Sequence, residues 1–317
     1  MKTQSEPPEV SALRASAQKG DAQAQFLLGE RYDHGQGVVK DEHEAAGWFR
    51  KAAEAGHAGA QFGLGNLYLN GQGVVKDEQE AVKWFREAAQ AGHAEAQNNL
   101  GACYYQGQGV MKNEQEAAQW FLKAALAGFA GAQPNLGICY IKGQGVAKDE
   151  KEAVKWFLKA AQAGVADAQN NLGLCYDNGQ GVVKNEKEAV KWYREAADQG
   201  YARAQFNLGN SYRKGLGVGK NEKEAVKWYR EAAEQGSADA QFNLGNCFAL
   251  GQGVAKDEVE AYKWYLIAGA RGNVNARNGM DCLEKELAPG DRRAGQNRAK
   301  EWEAQFDRNV YGGGKRP

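Results

Sequence analysis

Asn99, Asn135, Asn171, Asn207 and Asn243 follow one another at intervals of 36 residues. A primary amide carries two N–H donors and a carbonyl acceptor, so a regular row of them could hold the backbone of an extended peptide without reading its side chains. Arg203, Asn207 and Asn210 are spaced i, i+4, i+7 and would share one helix face. Asn243 and Asn246 would carry that patch into the next interval. A basic residue among amides suits an acidic ligand, although Asp239 close by offsets some of the charge. The same amides could instead bond the loop or helix end of the neighbouring interval, and the spacing leaves both readings open. Phe26, Phe62, Phe206 and Phe242 share the position beside the row, as ligand anchors or as rings packed between intervals.

Other arrangements with chemical potential are incomplete. Ser16-Ala17-Gln18-Lys19 and Ser211-Tyr212-Arg213-Lys214 each spell Ser-x-x-Lys, but no Ser-Asp-Asn or Lys-Thr-Gly element accompanies them, and Thr3 is the sole threonine. Gly215-Leu216-Gly217-Val218-Gly219-Lys220 comes nearest to a phosphate-binding loop. It lacks the earlier glycine, and Asn221 stands where Ser or Thr is needed. Such glycines read as turn residues at positive φ. His57 and His93 occupy one slot in adjacent intervals, and no Cys or His pair has zinc-ligand spacing. The expectation is no catalytic residue, no metal and no cofactor. Trp48, Trp84, Trp120, Trp156, Trp192, Trp228 and Trp264 repeat at core spacing and read as packing rather than a stacking ladder for bases. The lysine row that begins at Lys40 is followed by acids, as in Lys76-Asp77-Glu78, and reads as a charge-balanced edge.

The 317 residues contain 40 Lys+Arg and 40 Asp+Glu, which argues against a nucleic-acid partner, since phosphate neutralisation needs clustered positive charge. No apolar run reaches the roughly 18 residues a transmembrane helix needs. Met1 to Val10 shows no signal-peptide h-region, so a cytoplasmic protein is expected. Cys103, Cys139, Cys175 and Cys247 share one slot, and Cys282 stands apart. Equivalent positions in stacked helices lie about 8–10 Å apart, beyond the ~7 Å reach of a disulfide, so free, buried thiols are expected.

The elements that position these residues come from the same period. A repeat of 36 residues implies a solenoid whose units bury their apolar faces on one another. The unit 55–90 shows the logic. Ala58 to Asn70 reads as a first helix with Ala60, Leu64, Gly65 and Tyr68 on one face. Gly71 stops it, and Asp77 with Glu80 starts a second helix, whose buried stripe is Ala81, Trp84, Phe85, Ala88 and Ala89. Gly65 and its equivalents sit mid-helix at a cost of about 1 kcal/mol each, which implies a close backbone approach under a neighbouring aromatic ring. The expected fold is an all-α, α/α solenoid. Its divisions are a disordered start 1–8, a capping helix 9–18, repeats 19–54, 55–90, 91–126, 127–162, 163–198, 199–234 and 235–270, a C-terminal cap 271–305 and a flexible tail 306–317. Within the cap, a helix from Val274 to Leu287 is broken by Pro289-Gly290, and Arg292 to Phe306 closes the array.

The string Ala-x-Ala-Gln-x-x-Leu-Gly-x-x-Tyr-x-x-Gly-x-Gly-Val-x-Lys-Asp/Asn, followed by Glu-Ala-x-x-Trp-Phe/Tyr-x-x-Ala-Ala-x-x-Gly, resembles the Sel-one-like repeat, a relative of the tetratricopeptide repeat with a longer loop. The resemblance covers about residues 9–305. It implies an α/α superhelix serving as an adaptor or scaffold for other proteins, with first helices on the concave side. In related tetratricopeptide domains, Asn and basic residues at matching slots clamp a peptide's terminal carboxylate. The resemblance therefore implies an acidic or C-terminal peptide at Asn99, Asn135, Asn171, Arg203, Asn207, Asn210, Asn243 and Asn246. A cysteine-rich branch of the family carries a β-lactamase activity, but its units hold paired cysteines, where this chain has one per unit. The functional expectation is a non-catalytic, monomeric adaptor or scaffold that binds a peptide or partner protein on its concave face, with no nucleic-acid or membrane partner. A β-lactamase-like hydrolase, and a structural spacer or self-assembling array, are the alternatives.

Overall fold

The computed structural model describes residues 7–311, which hold 17 α-helices and no strand. The expected disordered start 1–8 and tail 306–317 fall largely outside these residues. Within them, Pro7 is the N-cap of α1 (Pro8–Gln18), and residues 307–311 belong to the last helix, not to a tail. The chain divides into two compact units, Met1–Trp156 and Phe157–Pro317.

In the first unit α1 is followed by three first-helix/second-helix pairs: α2 (Ala22–His34) with α3 (Glu42–Glu54), α4 (Ala58–Asn70) with α5 (Glu78–Gln90), and α6 (Ala94–Gln106) with α7 (Glu114–Leu126). Then come α8 (Ala132–Lys142) and α9 (Glu150–Gln162), the latter crossing into the second unit. That unit continues with α10 (Ala166–Asn178) and α11 (Glu186–Asp198), α12 (Ala202–Lys214) and α13 (Glu222–Glu234), and α14 (Ala238–Leu250) and α15 (Glu258–Ala270). It ends with α16 (Val274–Glu286) and α17 (Pro289–Tyr311). Within the first unit consecutive helices from α1 to α8 pack on one another, within the second those from α10 to α16 do so, and α17 packs on α15.

Local chemistry sets the helix ends. The carboxylate of Asp77 accepts the N–H groups of Gln79 and Glu80, and Asn113, Asn185 and Asn221 do the same at α7, α11 and α13. First helices end at a left-handed glycine such as Gly71 at φ +70°. Two residues on, Gly73 at φ +64° lies against the backbone carbonyl of Glu42, so that a Cβ there would overlap it. Gly109, Gly145, Gly217 and Gly253 lie likewise against Glu78, Glu114, Glu186 and Glu222, so within each unit these loops rest on the start of the preceding second helix. Gln108 and Gln144 reinforce the contact by donating to Glu78 and Glu114 at 3.1 and 2.9 Å. The lysine row forms the expected charge-balanced edge, with Lys40, Lys112 and Lys220 2.9–3.0 Å from Glu42, Glu114 and Glu222.

The core departs from the sequence reading in one respect. The ring that fills each repeat is the aromatic after the tryptophan. Phe85, Tyr193 and Tyr229 are fully buried; of the tryptophans, Trp48, Trp228 and Trp264 are buried as expected, whereas Trp84, Trp120 and Trp192 stay half-exposed beneath lysine ammonium groups. The mid-helix glycines answer to that ring. A Cβ on Gly65 would lie 2.6 Å from the Phe85 ring, and one on Gly209 would lie 2.7 Å from Tyr229. Burying an aromatic side chain stabilises by about 1.5–3 kcal/mol, which exceeds the ~1 kcal/mol helix penalty of glycine. The chain breaks after α16 as expected, but Pro289 takes the first position of the closing helix, which is therefore longer than the expected 292–306.

Candidate peptide-binding face

The amides lie half-buried on the first helices, and they bond one another across repeats. In the first unit Asn99 donates to Asn66 at 3.3 Å and Asn135 donates to Asn98 at 2.9 Å. In the second, Asn207 donates to Asn170 at 2.9 Å and Asn243 donates to Asn210 at 3.2 Å. Each of these four row amides therefore has another amide on the neighbouring first helix as a partner, and Asn135 also donates to the Gly131 carbonyl at the start of its own helix at 3.4 Å. Asn171 is the exception, with a buried Nδ2 that meets no acceptor among the described residues.

In the second unit, phenols rise from below to meet these amides. The Tyr229 hydroxyl donates to Asn210 Oδ1 at 2.7 Å while accepting from Arg213 Nε at 3.1 Å. The Tyr265 hydroxyl donates to Asn246 Oδ1 at 2.7 Å. Burial raises both phenols above their ordinary value, Tyr265 to about 12, so each remains a protonated donor. With its oxygen claimed twice, Asn210 turns its NH2 group away from the core. Arg203 is exposed at the start of α12, beside the Tyr201 hydroxyl that donates to Asp167 at 2.7 Å. Arg213 and Lys214 close the same helix, which contains no acid. Donors therefore dominate α12, while Asp167, Asp177 and Asp239 sit on α10 and α14. Phe206 and Phe242 are half-buried against Tyr229 and Tyr265, with ring centroids 6.1 and 5.9 Å apart.

Sequence reasoning missed two sets of residues. Tyr229, Tyr265 and Arg213 orient the amides, and the change from Phe85 and Phe121 to Tyr193, Tyr229 and Tyr265 along the chain was the available signal. The buried glutamines were the second set. Gln61, Gln97, Gln205 and Gln241 each donate to a carbonyl eight residues back, at the end of the preceding second helix. A polar residue recurring between core alanine and leucine in every repeat marked them.

The residues weighed for catalysis serve the backbone. The Ser211 hydroxyl is buried and donates to the Asn207 carbonyl at 3.1 Å, and Ser16 donates to Asp21. His57 and His93 cap α4 and α6, each accepting a backbone N–H through Nδ1. No cluster of potential metal ligands occurs among the described residues, and no helix there is long and apolar enough to cross a membrane. All five cysteines are free, which leaves none of the disulfides of the cysteine-rich branch, and Cys282 is exposed rather than buried.

Tandem helix pairs, stacked within each unit with loops and glutamines tying one repeat to the last, define an all-α repeat solenoid. The chain belongs to the Sel1 repeat family, whose model matches residues 22–57, 58–93, 94–129, 130–165, 166–201, 202–237 and 238–273. It is similar to a Sel1 repeat protein from Oxalobacter formigenes, with 33% identity and a TM-score of 0.71 over 86% of this chain and 79% of that one. It is also similar to c5321, a protective antigen of uropathogenic Escherichia coli with an SLR fold. There the identity is 30% and the TM-score 0.46, over 96% and 80% of the two chains. No curated protein matches the chain. Repeats of this kind are generally protein-interaction scaffolds, and the family is typically non-catalytic.

Proposed function

We propose that this chain is a non-catalytic scaffold that holds an extended segment of a partner protein along its first helices, with the segment's acidic or C-terminal end at α12 and α14. The observation that carries this reading is the orientation of Asn210 and Asn246. Their oxygens are occupied by Tyr265, Tyr229 and Asn243, so their N–H groups are left for an acceptor-rich ligand. Arg203, Arg213 and Lys214 add positive charge on one helix. A peptide carboxylate supplies the matching acceptors, and charge-assisted bonds of this type are roughly twice as strong as neutral ones. Because the amides are already held by one another, less side-chain freedom is lost on binding. Asn207 and Asn243 would seat the backbone, and Phe206 and Phe242 would border it.

The test is to pan a random peptide display library with free C-termini against the wild type and the Asn207→Ala/Asn243→Ala variant. A consensus enriched by the wild type alone, with both proteins unfolding cooperatively, is the expected result. Enrichment by neither protein, or loss of cooperative folding in the variant, would make the row an internal hydrogen-bonding device and overturn the reading.

A further inference from the structure

A cavity lies away from the amide row, between the end of α13 and the last described turns of α17. It encloses about 510 Å³, within the range of a small-ligand or side-chain pocket. Trp302 and Phe306 form one wall, stacked with centroids 5.0 Å apart and planes at 20°. Val310, 53% exposed, extends the wall. The α13–α14 turn holds this wall in place, since a Cβ on Gly236 would come 3.0 Å from the Phe306 ring. Glu234 is the only charged lining residue, and it forms no ion pair among the described residues. Gln305 and Asn309 add amides along the rim.

The one charge among the lining residues is negative. Glu234 contributes a carboxylate. Helix α13 ends beside it with no basic residue in its last turn, and helix C-termini carry partial negative charge, while Arg308 lies in the last described turn of α17. Aromatic faces carry negative quadrupole density. The rings already hold one guanidinium, for Arg271 sits 5.0 and 5.1 Å from the centroids of Trp302 and Phe306 without lining the cavity.

We infer that this cavity is a separate binding site for an arginine side chain of a partner protein. The guanidinium plane stacks on the Trp302–Phe306 wall and pairs with Glu234, while Gln305 and Asn309 meet the adjoining peptide backbone. Arginine is preferred to lysine because its planar head suits both the ring face and a bidentate carboxylate.

The test is fluorescence anisotropy at low ionic strength with a labelled Gly-Arg-Gly-Arg-Gly peptide and its citrulline counterpart. The wild type should bind the arginine peptide and not the citrulline one. Glu234→Gln, an exposed substitution outside the core, should weaken binding by at least about fivefold, and Glu231→Gln, one turn earlier, should leave it unchanged. Equal binding by Glu234→Gln, by Glu231→Gln and by the wild type would reduce the effect to diffuse charge and overturn the site. Absence of binding to the wild type would overturn it as well. So would binding that appears only in Lys315→Ala/Arg316→Ala, because the occupant would then be this chain's own end. None of these outcomes bears on the amide row.

Discussion

His93 accepts the Ala96 N–H through Nδ1 at 3.3 Å and stacks on Phe62, so it caps α6 only while neutral. Burial holds its pKa below the ordinary 6.5, with Glu95 opposing and His57 adding to the shift. The unfolded chain therefore binds more protons than the folded one just below that value. The stability His93 contributes is complete above pH 6.5 and is lost as the pH falls through the folded-state pKa. His93→Asn keeps a capping oxygen and removes the titration. Its melting temperature should change less than the parent's between about pH 7.5 and about pH 5, and equal slopes would refute the role. The shared slot of His57 and His93 was visible in the sequence, but its function was not. The same position holds Asp21, Ser237 and Asn273, which cap, and Val165 and Tyr201, which do not. A slot so mixed reads as unconstrained until the helix start is placed beneath it.

Helix boundaries were legible because their causes are local: a left-handed glycine ends one helix and an Asx side chain starts the next. What joins one element to another was less so. Trp84 and Phe85 both lie on the apolar side of α5, and only the position of α4 decides that Phe85 covers Gly65. The amide pairing likewise depends on how far one first helix is offset from its neighbour, which a sequence period does not encode. The buried glutamines show the same dependence. In the second unit the oxygens of Gln169 and Gln205 accept from Gln199 and Gln235 at 2.7 and 2.8 Å. In the first unit Gln97 Oε1 is buried without a donor, and the equivalent of Gln199 is Ala127, exposed at the end of α7. Satisfying a buried acceptor is worth about 0.5–1.5 kcal/mol. Ala127→Gln should therefore raise the urea midpoint of the first unit, and an unchanged midpoint would mean that water already serves Gln97.

Across the whole molecule, stability in a repeat array is a sum over neighbours, so the two units need not open together. Their cores are organised differently. The second unit holds a long cluster from Ala189 to Ala299 that joins Tyr212, Trp228, Cys247 and Trp264, beside a smaller one around Tyr265. In the first, separate clusters centre on Phe49, Phe85 and Phe121. The cysteines report on this difference. Burial pushes the thiols of Cys103, Cys139 and Cys247 up to about 11, so they are protonated and shielded in the fold. Cys282 is exposed on α16. A thiol reagent at neutral pH should modify Cys282 at once and the buried cysteines only as their repeats open, because the thiolate is the reactive form. With rising denaturant, Cys103 should become reactive before Cys247, since a discontinuous core lets one repeat open without its neighbours. All five should react in the unfolded chain. Simultaneous labelling of Cys103 and Cys247 would instead mean that the units unfold as one cooperative body. Ligand binding along the first helices of one unit would then stabilise the other as well.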